Sequence, residues 1–299
     1  MANSTRSNVD AKQDGITARP GLAHRAGLFL AFLLCALAIW LFGSSYYIAF
    51  PTNGSVAYAA GLTAVFLLAA LLLKRYARTA RTWPIAYAFF VASAVNLISA
   101  LFGGSYGTVA HSLGVSPGSN QGQALQKVYE ALLVGVPIVV LVRLSGADLG
   151  SLLLKRGDLR WGLGIGALVL FNLVTSAFIF YGTGYSPAQL GSAAGWGLVF
   201  ALCNGFLEEL WLRGLFLKRL VPLIGVAGAV LLTSVWFAAL HSLAVAYMPA
   251  AVVPIFVVNT LTLGLACGIL MVKTDSIWGA VLIHAGADFF LFLAMLASH

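Results

Sequence analysis

Residues 204–216 read NGFLEELWLRGLF. The stretch lies inside a long apolar run, yet it sets Glu208 and Glu209 side by side with Arg213 one helical turn on. A charge at the centre of a membrane helix costs about 2.5–3.5 kcal/mol on insertion scales. Charges crowded this closely therefore need partners. On an α-helix Glu209 and Arg213 stand at i and i+4, share a face and can neutralise each other. Glu208 is rotated by about 100° from Glu209 and needs a partner from another helix.

Composition puts this stretch in lipid. Of 299 residues, 61% are hydrophobic and 9% charged, against about 25% charged in an ordinary soluble domain. The mean hydropathy is +0.95. The predicted fold class is all-α, a polytopic helical membrane bundle of about nine transmembrane helices. The apolar segments run near 26–49, 56–73, 83–102, 124–142, 161–181, 193–217, 221–243, 250–272 and 277–296, with Gly and Pro punctuating the connectors. Residues 1–25 are polar, lack the layout of a cleavable signal and read as a disordered cytoplasmic tail. Residues 26–299 read as a single membrane domain.

The net charge of +8 is explained by orientation rather than by nucleic acid, which is not an expected partner. Lys and Arg gather in the N-terminal tail, in KRYARTAR at 74–81, between Arg143 and Arg160, and at Lys218, Arg219 and Lys273. The alternate connectors hold almost none apart from Lys127, which reads as a local pair with Glu130. This positive-inside pattern places the N-terminus in and the C-terminus out. Trp83, Trp161 and Trp278 then stand at inner helix ends, and Trp40, Tyr46, Tyr47 and Trp196 near outer ends, as interfacial anchors. Asp148 and Asp158 fall in a solvated inner connector. Cys35, Cys203 and Cys267 show no C-x-x-C pair and read as small packing residues.

Two later segments supply candidate partners for Glu208. SVWFAALHSL carries His241, and GAVLIHAGADFF carries His284 and Asp288 at i and i+4 on one face. Alanine and glycine between them allow a helix or extended peptide to approach closely. With an inner turn near residues 221–225, Glu208 lies about 20 Å along one helix and His241 about 24 Å along the next. His284 and Asp288 lie about 14 and 20 Å above the turn near Asp275. All four can meet in one layer. A Glu–Arg pair or a single histidine can be structural glue. Intramembrane ionisable residues on three helices at one depth point to function. A carboxylate beside an imidazole can activate water for attack on a carbonyl, and a second histidine can stabilise the oxyanion.

EELWLR matches E-E-x-x-x-R, FAALH matches F-x-x-x-H and HAGAD matches H-x-x-x-N/D. In this order, on successive late helices, the three motifs resemble the CAAX protease and bacteriocin-processing family (CPBP, also Abi). These are intramembrane endopeptidases that include the type II CAAX prenyl protease. The likeness covers about residues 146–296. It implies a peptidase with Glu208 as general base working with His241 on a water. Glu209 and Arg213 would brace the site, and His284 and Asp288 would line the oxyanion side. Position 288 is Asn in the prenyl proteases, and an ionised Asp cannot donate a hydrogen bond. Asp288 must then be protonated, orient His284 or bind a metal. The resemblance carries two mechanisms. The preferred one needs no cofactor. The other is a metalloendopeptidase with divalent zinc on His241, His284 and either Glu208 or Asp288, although no H-E-x-x-H is present.

The expected partners are a peptide or membrane-protein substrate and membrane lipid. The expected location is an integral multi-pass position, in the plasma membrane if the cell is prokaryotic. Two rival functions use the same residues. One is an ion- or proton-coupled transporter with the carboxylates as relays, and the other a non-catalytic immunity or scaffold protein.

Overall fold

A computed structural model describes residues 21–42, 54–76, 79, 82–182, 186–242 and 249–297. Most of the expected N-terminal tail and the proposed anchors Tyr46 and Tyr47 lie outside these residues. Among those described, the chain is helical throughout, because in hydrocarbon only a helix satisfies each backbone N–H and C=O within one segment. The helices are α1 Leu22–Trp40, α2 Gly54–Arg75, α3 Trp83–Phe102, the short α4 Tyr106–Ser112, α5 Asn120–Leu144, α6 Leu159–Tyr181, α7 Pro187–Glu208, α8 Leu217–His241, α9 Val253–Thr274 and α10 Trp278–Ala297. A π-helical turn, Glu209–Gly214, continues α7.

Eight helical stretches are long and apolar enough to cross a bilayer, and the last helix is apolar over Trp278–Ala294. The sequence-predicted segments map onto the long helices, with two local differences. The segment expected over 193–217 is α7, which passes into the π turn at Glu209 instead of running to residue 217. The next helix starts at Leu217 and breaks at Gly225, whose φ of 80° only glycine adopts readily.

Local chemistry sets several helix starts. The Ser119 hydroxyl accepts from Gly122 N at 3.0 Å. Ser186 and Gln189 form a capping box ahead of α7, with Pro187 in its first turn. Asp158 accepts from Trp161 N and caps α6. Asp148 likewise accepts from Ser151 N at 2.8 Å. The two aspartates are therefore caps, beyond the solvated charges expected of them. Lys127 and Glu130 pair at 2.7 Å, as predicted.

Helix α10 is the centre of the arrangement, packed on α6, α7 and α9. Its contact with α6 is close because glycines face each other. A Cβ on Gly166 would come within 2.7 Å of the Gly279 carbonyl, and one on Gly279 within 2.4 Å of the Gly162 carbonyl. Close backbone approach of this kind replaces the hydrophobic effect as the packing force in lipid. Helix α8 packs on α9 and α1, and reaches the α7 segment mainly through the π turn.

The aromatic core joins Trp40, Phe89, Phe216 and Trp236, with ring centroids 5.0–6.1 Å apart. Trp40 is 3% exposed, so it is a core residue and not the interfacial anchor its position suggests. Trp161 and Trp278 are exposed, as anchors would be.

At the basic end, the 149–158 connector is fastened to the α9–α10 turn. Asp158 N donates to Thr274 O at 2.7 Å, Ile277 N to Leu153 O at 3.1 Å and Ser276 Oγ to Lys155 O at 2.9 Å. Asp275 pairs with Lys155 and, at 2.7 Å, with Lys218.

Candidate active site

The last turn of α7 and the π turn place Asn204, Glu208 and Glu209 against α10. Gly205 makes this possible. A Cβ there would stand 3.1 Å from Val281 O, 3.2 Å from Ala285 N and 3.3 Å from His284 Cβ. The wider π turn, closed by Leu215 N donating to Leu210 O at 2.9 Å, shifts the register of the side chains that follow. Such turns recur at functional sites.

Glu209 and Arg213 form the innermost pair. Arg213 Nη1 donates to Glu209 Oε1 at 2.6 Å, and both side chains are fully buried. The guanidinium lies 4.7 Å from the Phe237 ring centroid, which adds a cation–π attraction. Gly264 on α9 gives it room, since a Cβ there would stand 2.8 Å from Arg213 Nη2. The Glu–Arg bond predicted from i, i+4 spacing is therefore present.

Glu209 Oε1 also meets His284 Nδ1 at 2.8 Å. A carboxylate accepts, so Nδ1 carries the proton and Nε2 faces away from Glu209. That nitrogen lies 3.8 Å from Glu208 Oε2 and 3.7 Å from Asp288 Oδ1. These separations exceed a direct hydrogen bond but suit a shared water. The two acids are themselves joined. Asn204 Nδ2 donates to Glu208 Oε1 and to Asp288 Oδ2, at 3.0 Å each. Burial is graded: the Glu209 and Arg213 side chains are 0% exposed, His284 1%, Asp288 13% and Glu208 22%. The cluster is dry at its Glu209 end and opens at Glu208.

The structure thus brings together Glu208, Glu209, Arg213, His284 and Asp288. His241 stands apart from this hydrogen-bonded group. Its Nδ1 lies 2.8 Å from the Phe237 carbonyl, which can only accept, so Nδ1 is the donor and Nε2 of the neutral ring is left as acceptor. The His241 ring packs on Phe237 at 4.3 Å, and His284 meets the same phenyl edge-on at 5.2 Å. Both imidazoles pack on one aromatic ring. The imidazole nearest Glu208 is that of His284, not His241.

Asn204 is the site residue that sequence reasoning passes over. Its signal is present all the same: a polar side chain in an apolar run, four residues before Glu208 and hence on the same helical face. A metal held by His241, His284 and a carboxylate needs three donors converging on one point. Each histidine engages Nδ1 and keeps Nε2 available to a ligand, but among the described residues no three His, Cys, Asp or Glu side chains are grouped to hold an ion. As placed, the residues do not form that centre.

Comparison with known proteins adds the family. Residues 189–290 match the family model for type II CAAX prenyl endopeptidase Rce1-like proteins. The matched segment is shorter than the expected 146–296 and begins within α7, yet it contains every candidate residue from Glu208 to Asp288. No curated protein and no solved structure matches the chain. This Rce1-like segment, carried on a multi-pass membrane bundle, supports membership of the CAAX protease family.

Proposed function

We propose that this protein is an intramembrane endopeptidase that hydrolyses peptide bonds with a water activated by Glu208. The supporting observation is the placement of His284 Nε2, 3.8 Å from Glu208 Oε2 and 3.7 Å from Asp288 Oδ1, at the open end of a buried polar cluster. A water in that gap touches a base and an imidazole at once. Glu208 takes a water proton while the water oxygen bonds to the scissile carbonyl carbon. A protonated His284 Nε2 then faces the developing oxyanion. The carbon–nitrogen bond breaks as Glu208 returns the proton to the leaving amine. Glu209 and Arg213 hold His284 in its tautomer and orientation. His241 packs on the same Phe237 ring as His284 and is the second imidazole proposed to assist the water.

The reading is metal-free, with substrate entering from the inner side. In that orientation Lys155, Lys218, Arg219 and Lys273 are cytoplasmic. The test uses purified protein in proteoliposomes and internally quenched peptides ending in a C-a-a-X sequence, prenylated and unprenylated. Cleavage is expected with and without chelator, and Glu208→Gln at equal folding is expected to lower it by about 100-fold or more. Unchanged cleavage by Glu208→Gln overturns the reading. Loss in chelator with recovery on zinc addition overturns the metal-free mechanism alone.

A further inference from the structure

The cluster contains four groups arranged around one gap. Asn204 bonds Glu208 and Asp288 through one nitrogen, and both acids turn their other oxygens towards His284 Nε2. Both neighbours of the amide are carboxylates that accept, so the NH₂ end must face them. An amide nitrogen has two hydrogens, and each has one acceptor 3.0 Å away. Asn204 is 7% exposed, and its Oδ1 is buried without a partner among the described residues. A buried polar atom left unsatisfied costs about 1–3 kcal/mol. An apolar residue at this position would avoid that cost, so packing alone does not account for an asparagine.

Without Asn204, Glu208 and Asp288 would approach the same histidine as two like charges with nothing between them. Each could then rotate away from Nε2 towards the open side of the cluster. The amide gives each carboxylate a fixed donor on its outer oxygen and leaves the inner one aimed at the gap. Glu208 shares the helix with Asn204, while Asp288 and His284 come from α10. From α5, which packs on α7, the charged residues on the approaching stretch are Lys127 and Glu130, paired with each other at 2.7 Å, and Lys127 Nζ also lies 5.7 Å from the Phe200 ring.

We infer that Asn204 is a positioning residue of this site, setting the rotamers of Glu208 and Asp288 on either side of His284 Nε2 by donating one N–H to each. The inference rests on the peptidase reading, and its test separates the two. The parent protein is first shown to cleave the quenched peptide in a Glu208-dependent manner. Asn204→Ala is then expected to lower kcat by about 10- to 100-fold with KM little changed, as misplacement of reacting groups does. Asn204→Asp, equal in shape, is expected to be as poor at high pH. Its rate relative to the parent should rise as pH falls, because a protonated acid can donate one of the lost hydrogen bonds. The Asn204→Ala ratio should stay flat. An unaffected Asn204→Ala, or a flat ratio for Asn204→Asp, overturns the inference and leaves the peptidase reading standing.

A second measurement is independent of turnover. Thermal unfolding in detergent of Asn204→Ala, Asp288→Ala and the double variant should be non-additive, as expected for groups joined by a hydrogen bond. Additive shifts overturn the inference even if no peptide is cleaved.

Discussion

Two ionic clusters hold the late helices together, and they differ in every respect except charge. Glu209, Arg213 and His284 meet in the dry interior, with the Glu209 and Arg213 side chains 0% exposed. Lys155, Lys218 and Asp275 meet at the basic end, with side chains 35–47% exposed. In the interior cluster, removing one partner leaves a bare charge in a low-dielectric medium. At the basic end, water and salt replace a lost partner at little cost. Three dry ionisable groups persist where apolar residues of similar size would pack as well, which fits a role in orienting His284 for chemistry. The exposed cluster does the simpler work of tying a connector to a turn.

The sharpest way to break the contrast is Arg213→Ala. It should destabilise the protein by about 3–5 kcal/mol, the range for an orphaned buried charge, or prevent insertion, as read by thermal unfolding and yield. Glu209→Leu combined with Arg213→Met should be closer to the parent in stability than Arg213→Ala, yet remain inactive because His284 loses its anchor. Equal stability of Arg213→Ala and parent would end the argument that this pair is dry.

A smaller effect is expected at Gly264. A methyl group there would stand 2.8 Å from Arg213 Nη2 and 3.1 Å from Ser234 Cα. Gly264→Ala should therefore lose about 1–3 kcal/mol by overpacking. Activity should fall with it, because the guanidinium cannot shift without pulling Glu209 from His284. Full activity would show that the pair tolerates displacement.

The smallest effect belongs to Asp275→Asn, a lowering of the melting temperature by at most a few degrees, shrinking as salt is added. Burial pushes the Asp275 carboxyl up, but the hydrogen bonds from Lys155 and Lys218 and their charges outweigh it and hold it below the usual carboxylate range. A depressed folded-state pKa gives stability that is present above the unfolded value and lost as pH falls through the folded one. Lys155 is shifted upward, chiefly by its hydrogen bond to Asp275, so its share is lost as pH rises through its own folded value. The gap between parent and variant should be widest between these limits and close in strong acid and strong base. A gap as large as that of Arg213→Ala would erase the distinction between the clusters.

Much of this arrangement is legible in the amino-acid sequence. The Glu209–Arg213 bond, the Lys127–Glu130 pair and the shared face of His284 and Asp288 all follow from i, i+3 and i, i+4 spacing. The helical spans follow from hydropathy, because an isolated apolar segment in lipid can pair its own backbone groups only as a helix. Asn204 is equally accessible by spacing but escapes notice, since a neutral amide raises less alarm in an apolar run than a charge does. Trp40 is misread from position alone, because an aromatic near a helix end is anchor or core according to what packs against it, here Phe216 and Trp236.

Within one helix the peptide geometry ties residue number to direction. The chain's own order of residues therefore sets the spans, the Glu209–Arg213 pair and the common face of His284 and Asp288. Between helices no covalent rule sets register, rotation or separation. Glycines at 162, 166, 205, 264 and 279 decide how closely the backbones approach, and the π turn decides which way the side chains after Glu208 point. It takes the packed bundle to establish that His284 meets Glu209 through Nδ1, that Asn204 joins two acids from different helices, and that His241 and His284 pack on the same Phe237 ring.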